Sequence, residues 1–498
     1  MKMFKFFSDD RIALEIVQKG FYRSFSKIRS QQQKVSVFIS PKDELRDQIS
    51  ALLSGGHKIV VLGEIGTKTA HLLGLKLSDS HHFDDKKASL PTNHEGECHT
   101  TEYRISYIPH PINQNTPYKN RYFARFDFTD EWNNHGYGRI TTDGTIWAVS
   151  SIISNVSAQS IATIEDDNGY VCEFATVSDF DDAAVLFINR PVGTVDGLDW
   201  GIVENFLSRY RIDDLVALPL IHDLPHDVQG VVSARLDCDQ SIINAKPLVE
   251  LYKSYEIDIS LGISTGIPID QNDIDFMIDF HQNGGSLVSH TITHHYSWGR
   301  DYAHALEETS GSKQWLEEHI PGLCVDYAVS PFHSNEPFAV QALADAGYKG
   351  FISGIIHNDP EYLVSVSGEV PFVTTPIVTH SQQCMMHGDC YHRYGNSTHP
   401  YIEAFAMHLK AGKMFGYLDH PFGGYDYGWS SEKERLDAHK EMIEIISKHE
   451  GIVWWTVKQL LDFVVRKSQT ALEMTNDGLT ILHKASDVVV EYRGKIYV

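Results

Sequence analysis

The chain has 498 residues, more than one ordinary core accommodates, so two or three domains are expected. Its 42 Lys and Arg against 66 Asp and Glu give a formal charge of −24 with no basic run, which argues against nucleic acid or an anionic membrane surface as a partner. Hydrophobic residues at 42% and aromatics at 11% indicate a folded globular protein. The first ten residues, with acids at 9 and 10, lack the apolar stretch of a secretory signal, and no run of about 18 apolar residues predicts a membrane span. A cytoplasmic location is inferred. The six cysteines (98, 172, 238, 324, 384, 390) contain no CxxC pair and read as free thiols.

In chain order, residues 1–33 read as a helical surface extension. Residues 35–39 read as a short strand, 43–53 have helical spacing, and 58–63 are a continuous apolar run of the buried parallel-strand kind. Gly63-Glu-Ile-Gly66 then leads into a predicted helix over 67–75, and reads as a tight strand-to-helix turn rather than a phosphate cradle. Residues 78–118 are loop-like. Strands are predicted at 121–128, 138–143, 171–176 and 184–189, with a helix over 198–210. The stretch 34–228 thus resembles a flavodoxin-like α/β module, loosely the glutamine-amidotransferase-like or ThuA-like scaffold. None of the six cysteines has the Gly-x-Cys-x-Gly setting of an amidotransferase nucleophile, so a structural or substrate-positioning role is expected.

From residue 230 the alternation is more regular. Strands are predicted at 231–236, 257–262, 286–289, 325–330, 350–353, 372–378, 414–418 and 452–455. Helices are predicted at 246–255, 273–282, 301–319, 337–347, 402–411 and 432–449, the last capped by Ser431 with Glu434 three residues on. Such repetition over about 240 residues predicts a parallel, barrel-like sheet whose chemistry gathers at the C-terminal ends of its strands. A closing helix follows at 456–466, and 467–498 read as a small β appendage. The expected domains are therefore 1–33, 34–228, 229–466 and 467–498.

The candidate chemistry starts from Val231-Val-Ser-Ala-Arg-Leu-Asp-Cys-Asp-Gln240. Asp237 and Asp239 are two apart on a strand, so they share a face roughly 7 Å apart. A buried strand ending in two acids calls for a positive partner, most economically a metal ion. Two HxxxH pairs offer ligands. His222 and His226 lie in a Pro-containing loop, whereas His290 and His294 follow the strand at 286–289, on the rim where the acids lie; position favours the second pair. His420 ends another late strand on that rim, where it is placed to donate a proton.

Arg235-Leu-Asp-Cys-Asp-Gln240, His290-Thr-x-x-His294 and Leu418-x-His420, in that order, resemble the polysaccharide deacetylase family (NodB homology, carbohydrate esterase 4-like) over residues 230–466. The closest branch is the variant one that includes sugar deformylases and O-antigen or exopolysaccharide deacetylases. The resemblance implies a distorted (β/α) barrel holding a divalent metal, usually zinc, on Asp239, His290 and His294. It makes Asp237 the general base and His420 the general acid. The family's third motif is Arg-x-Pro-x-Gly; here it reads Val329-Ser-Pro-Phe-His333, without the Arg or the Gly. Either Arg393 or Arg235 orients Asp237 instead, or the activity is altered or lost. Pro331, Phe332, Arg393 and Trp429 are expected to border the substrate. Rim aromatics at 296, 298, 332, 422, 425 and 429 either stack on sugar rings or belong to the core. The implied reaction removes an N-acyl group, expected to be acetyl, from an amino sugar in a glycan or glycan precursor. The alternatives are a sugar deformylase or related amidohydrolase, and a non-catalytic glycan-binding scaffold. The sequence is silent on oligomeric state.

Overall fold

A computed structural model describes residues 3–30, 32–78, 104–114, 146, 149–195, 197–353, 367–371, 373–381, 384–393, 395–423, 427–475 and 478–498. The chain divides into two units. Among the described residues, one contains those up to His222 together with Gln469–Val498, and the other contains Asp223–Ser468. The predicted strands at 121–128 and 138–143 lie outside the described residues.

In the first unit the apolar run forms the strand His57–Leu62, buried and flanked in parallel by Val35–Ile39 and Ala183–Ile188. Its far side differs from the parallel order expected. Gly169–Phe180, Gln159–Asp166 and Arg104–Tyr107 add on in antiparallel fashion, because links as short as those from Asp166 to Gly169 and from Phe180 to Ala183 allow only hairpins. Residues 1–33 are not a surface extension. Phe4–Phe7 is the edge strand of this sheet, and the helix Arg11–Phe25 buries Val17, Phe21 and Phe25. The end of the chain is likewise no separate appendage: Ala471–Thr475 pairs with Ile28–Ser30, and Val490–Tyr492 with Leu220–Ile221. The Gly63–Gly66 turn is a tight connection. Asp43 already accepts the backbone N–H of Lys68 at 2.9 Å, so a protein carboxylate, not a phosphate, meets that helix start.

The second unit is built on one sheet of ten strands: β1 (Gly230–Cys238), β2 (Ser260–Ile263), β3 (Ser286–Ser289), β4 (Tyr327–Val329), β5 (Gly350–Ser353), β6 (Gly368–Glu369), β7 (Val378–Ser381), β8 (Cys384–Met385), β9 (Phe415–Asp419) and β10 (Ile452–Trp454). The order is β6-β7-β5-β4-β3-β2-β1-β9-β8, with β10 also on β1, and every pairing but β6–β7 is parallel. Between them lie α1 (Lys246–Lys253), α2 (Gln271–Gln282), α3 (Tyr302–His319), α4 (Pro337–Asp345), α5 (Gly388–Arg393), α6 (His399–Ala411), α7 (Glu432–Ile446) and α8 (Val457–Ser468). Ser431 caps α7 as expected, its Oγ accepting from Glu434 N at 3.1 Å. The strand predicted at 372–378 falls later, on Val378–Ser381.

The pleat sorts β1 into two faces. Val232, Ala234, Leu236 and Cys238 pack into the core shared with α1, α2 and α7. Ser233, Arg235 and Asp237 therefore point to the other face. There α8 lies across β1, β3, β4, β5, β6 and β7, near the strand starts: Ser260 Oγ accepts from Val457 N at 2.8 Å, and Tyr327 donates to Asp462 at 2.5 Å. Packed by α8 at one end, that face is left for polar groups at the other, where the strands finish. Among the described residues no helix is long and apolar enough to cross a membrane.

Candidate functional site

Arg235 and Asp237 are two apart on β1, hence on one face. The guanidinium grips the carboxylate with both arms, Nε to Oδ1 at 2.6 Å and Nη2 to Oδ2 at 2.9 Å. Both side chains are buried, at 2% and 5% exposure. Burial pushes the Asp237 carboxyl up, but Arg235, His290, and His420 outweigh it and hold the group below the usual carboxylate range. Room for the carboxylate comes from Gly262, abreast of Asp237 on β2, where a Cβ would stand 2.8 Å from Oδ1. Arg235, one of the two arginines left open by the sequence, makes the contact. Arg393 ends α5.

The His290–His294 segment leaves β3 in a sharp turn, with Thr291 and His294 both at positive φ (69° and 53°). Glu308 of α3 fixes it, accepting from Ile292 N, Thr293 N and Thr293 Oγ1 at 2.7–2.9 Å. Thr291 Oγ1 accepts from His294 N at 2.9 Å. His290 Nδ1 donates to the Val329 carbonyl at 3.1 Å, which leaves Nε2 as the lone-pair nitrogen, the arrangement of a metal-binding imidazole. Its ring centroid lies 4.6 Å from that of His294. Burial, then His290, lowers His294 to a pKa of about 3, so its ring is neutral, the form that ligates. Asp239, past the end of β1, accepts from Tyr427 at 3.0 Å. Burial, with Asp237 alongside, raises its carboxyl against the opposing pull of His290 and Tyr427.

His420 follows β9 and turns to the same face as Asp237. Its Nδ1 lies 3.0 Å from His387 Nε2, and its ring stacks on Tyr427 at 3.8 Å and 15°. Burial, then His387, pushes it well below the ordinary imidazole range. His333, which stands where the resembling family has Gly, has φ 54° and Nε2 3.3 Å from Met385 Sδ; burial, then Arg235, lowers it to about 4. Sequence reasoning assigned no role to His387 or His333. His387 sits in a short irregular stretch after β8, with no periodicity to mark it.

Among the described residues, the donors that converge within 4.8 Å of one another are His387, Asp419 and His420, a set that does not include Asp239, His290 and His294. Asp419 is nonetheless already engaged. Its oxygens accept from His420 N at 2.8 Å, His439 Nε2 at 3.0 Å and Trp429 Nε1 at 3.3 Å, with Arg435 3.8 Å away. By strand alternation it faces the helices, away from Asp237. The expected set, Asp239, His290 and His294, is not among the converging groups; it comprises two imidazoles, one with Nδ1 bonded to a carbonyl, and a carboxylate that accepts from Tyr427. Its chemistry fits a divalent cation.

Trp429 must be withdrawn as a substrate-stacking residue. It is 2% exposed, packs on Tyr391 and donates its indole N–H inward to Asp419. Trp298 is buried too, its indole bonded to Asn335 at 3.0 Å. Pro331 is buried at the start of the turn Pro331–His333, whereas Phe332 and Tyr296 are 38% and 41% exposed, 6.1 Å apart, with Phe332 against His294 at 4.6 Å. The less favoured pair lies elsewhere in its bonding: His222 bonds Glu491 at 3.0 Å, and His226 pairs with Asp227 at 2.9 Å. Among the described residues, no disulfide joins Cys172, Cys238, Cys324, Cys384 and Cys390.

No family model matches the chain, and no curated protein matches it. Solved structures do. Agd3, a novel carbohydrate deacetylase, is 10% identical, with 99% of this chain and 91% of that one covered and a TM-score of 0.41. The Xyl-CE4 domain of a multidomain xylanase from the hindgut metagenome of Trinervitermes trinervoides is 14% identical, covering 47% and 90%, at 0.32. A family 4 acetyl xylan esterase from Clostridium thermocellum, in complex with a cobalt ion, is 10% identical, covering 47% and 91%, at 0.32.

Proposed function

We propose that this chain is a metal-dependent hydrolase that removes an N-acyl group, acetyl foremost, from an amino sugar in a glycan or glycan precursor. Its ten-stranded sheet is read as the distorted (β/α) barrel of that chemistry. The observation that carries the reading is the buried Arg235–Asp237 pair facing His420 and His290: a carboxylate held ionised, beside an imidazole placed for proton delivery. The arginine missing from the third motif is replaced from within β1 itself.

A divalent metal, expected to be zinc, held by Asp239, His290 and His294 would polarise the acyl carbonyl and bring the pKa of water toward about 7. Asp237 accepts the proton of the attacking water, and Arg235 keeps the carboxylate in the ionised form that a base requires. The backbone N–H after Pro331 meets the oxygen that becomes negative. As the C–N bond breaks, His420 passes a proton to the nitrogen, so that free amine and carboxylic acid leave. Phe332 and Tyr296 offer exposed faces to a sugar ring.

The test is a panel of N-acylated hexosamine substrates, free, nucleotide-linked and oligomeric, assayed for amine and released acid. Acetate supports the reading, formate moves it to a deformylase, and no release from any member removes it in favour of a binding protein. Elemental analysis accompanies the panel. Asp239→Ala and His294→Ala should each lose bound metal; full occupancy in either would sink the ligand assignment. Asp237→Asn should retain metal and lose turnover.

A further inference from the structure

The group that orients His420 is not a carboxylate. Its neighbour Asp419 points to the helix side of the sheet, where His439, Trp429 and Arg435 surround it. Beside β9, β8 runs parallel with Met385 abreast of Leu418, and Met386 N donates to the Leu418 carbonyl at 2.7 Å. That register brings residue 387 level with residue 420, and the two imidazoles meet at 3.0 Å, Nε2 to Nδ1. The His387 backbone is held in turn: its carbonyl accepts from Tyr401, a fully buried side chain, at 3.3 Å. Tyr427 covers both rings, at 3.8 Å from His420 and 4.8 Å from His387, while its hydroxyl is tied to Asp239.

We propose that His387 is the positioning residue of the proposed reaction, fixing the ring of His420 through Nδ1 so that Nε2 is the nitrogen that hands a proton to the departing amine. This rests on the deacetylase reading for its catalytic meaning but not for its geometry. His387 does the orienting that a carboxylate does in a Ser-His-Asp triad, as a partner that brings no fixed negative charge. The Tyr427 stack blocks rotation of the ring out of that bond. His387 acts only through His420.

The experiment uses the full chain labelled with [15N]histidine, with His420→Gln used to assign the His420 ring signals in two-bond 1H–15N spectra. His387→Ala should change the His420 nitrogen shifts from one fixed tautomer to an averaged pattern, and His387→Gln, which can still bond Nδ1, should restore most of the fixed pattern. Unchanged His420 shifts in His387→Ala overturn the proposal. With a substrate from the panel in hand, His387→Ala should lower kcat by about 10- to 100-fold with KM and metal content unchanged, and His387→Gln should recover part of it. Loss of metal from folded His387→Ala also overturns the proposal, because it makes His387 a ligand. If no panel member is hydrolysed, the functional reading has failed, and the ring spectra alone still decide the positioning role.

Discussion

Replacing Arg235 by leucine removes one partner of the buried pair and leaves the other in place. Both side chains are nearly inaccessible, and two hydrogen bonds of 2.6 and 2.9 Å join them. Breaking a buried ion pair by deleting one member destabilises by about 3–5 kcal/mol, since the remaining charge has no compensation. The deficit should depend on pH with a definite sign. In the native protein the Asp237 carboxyl is depressed, so the stability it contributes is present above the ordinary carboxylate value of about 3.9 and is lost as pH falls through its lowered value. In Arg235→Leu burial acts without its main opponent, the folded state takes up a proton, and the deficit shrinks as pH falls from 7 toward about 4. The assay is urea unfolding of both proteins in the presence of a chelator, followed by tryptophan fluorescence and circular dichroism at pH 7 and pH 4.5. A difference below about 1 kcal/mol at pH 7, or one that does not narrow at the lower pH, would refute the reasoning. Replacing both residues by leucine should recover most of the loss, because no buried charge then remains.

Three further outcomes are expected. Gly262→Ala places a methyl 2.8 Å from Asp237 Oδ1, so kcat should fall at least about tenfold while circular dichroism and metal content stay unchanged; full activity would mean Asp237 is not the base. Lys58 is fully buried and pushed down to about 7 from 10.5, first by burial and then by Arg493. Lys58→Met should therefore stabilise the first unit by about 1–4 kcal/mol below pH 7, where the folded state must bury an ammonium, and the gain should fade as pH rises toward 10.5; thermal unfolding across that range checks both statements. Glu491 accepts both arms of Arg209, at 2.9 and 2.6 Å, and that bond, against burial and aided by His222, lowers it from 4.5 to about 2. Glu491→Gln should cost about 1.5–3 kcal/mol at pH 7, with the difference from the parent lost as pH falls from 4.5 to 2; a pH-independent difference would point to packing instead.

What the sequence by itself determined is what depends on local periodicity and on spacing along one element. Alternation puts Arg235 and Asp237 on one face of β1 whatever surrounds them, and the apolar runs at 58–63 and 231–236 become buried strands because each satisfies its backbone in a ladder while hiding its side chains. Chain ends were different. The inclusion of Phe4–Phe7 in the first sheet and the return of Ala471–Thr475 to Ile28–Ser30 rest on pairings between distant segments, which no local pattern records. Tertiary structure alone also decided that Arg235 holds Asp237, that Trp429 faces inward to Asp419, and that Glu308 fastens the His290–His294 turn across 15 and 16 residues of chain. His387 is the clearest case. Nothing in its own neighbourhood marks it, and only the parallel register of β8 on β9 carries its ring to His420, because strand pairing converts a separation of 33 residues into 3.0 Å.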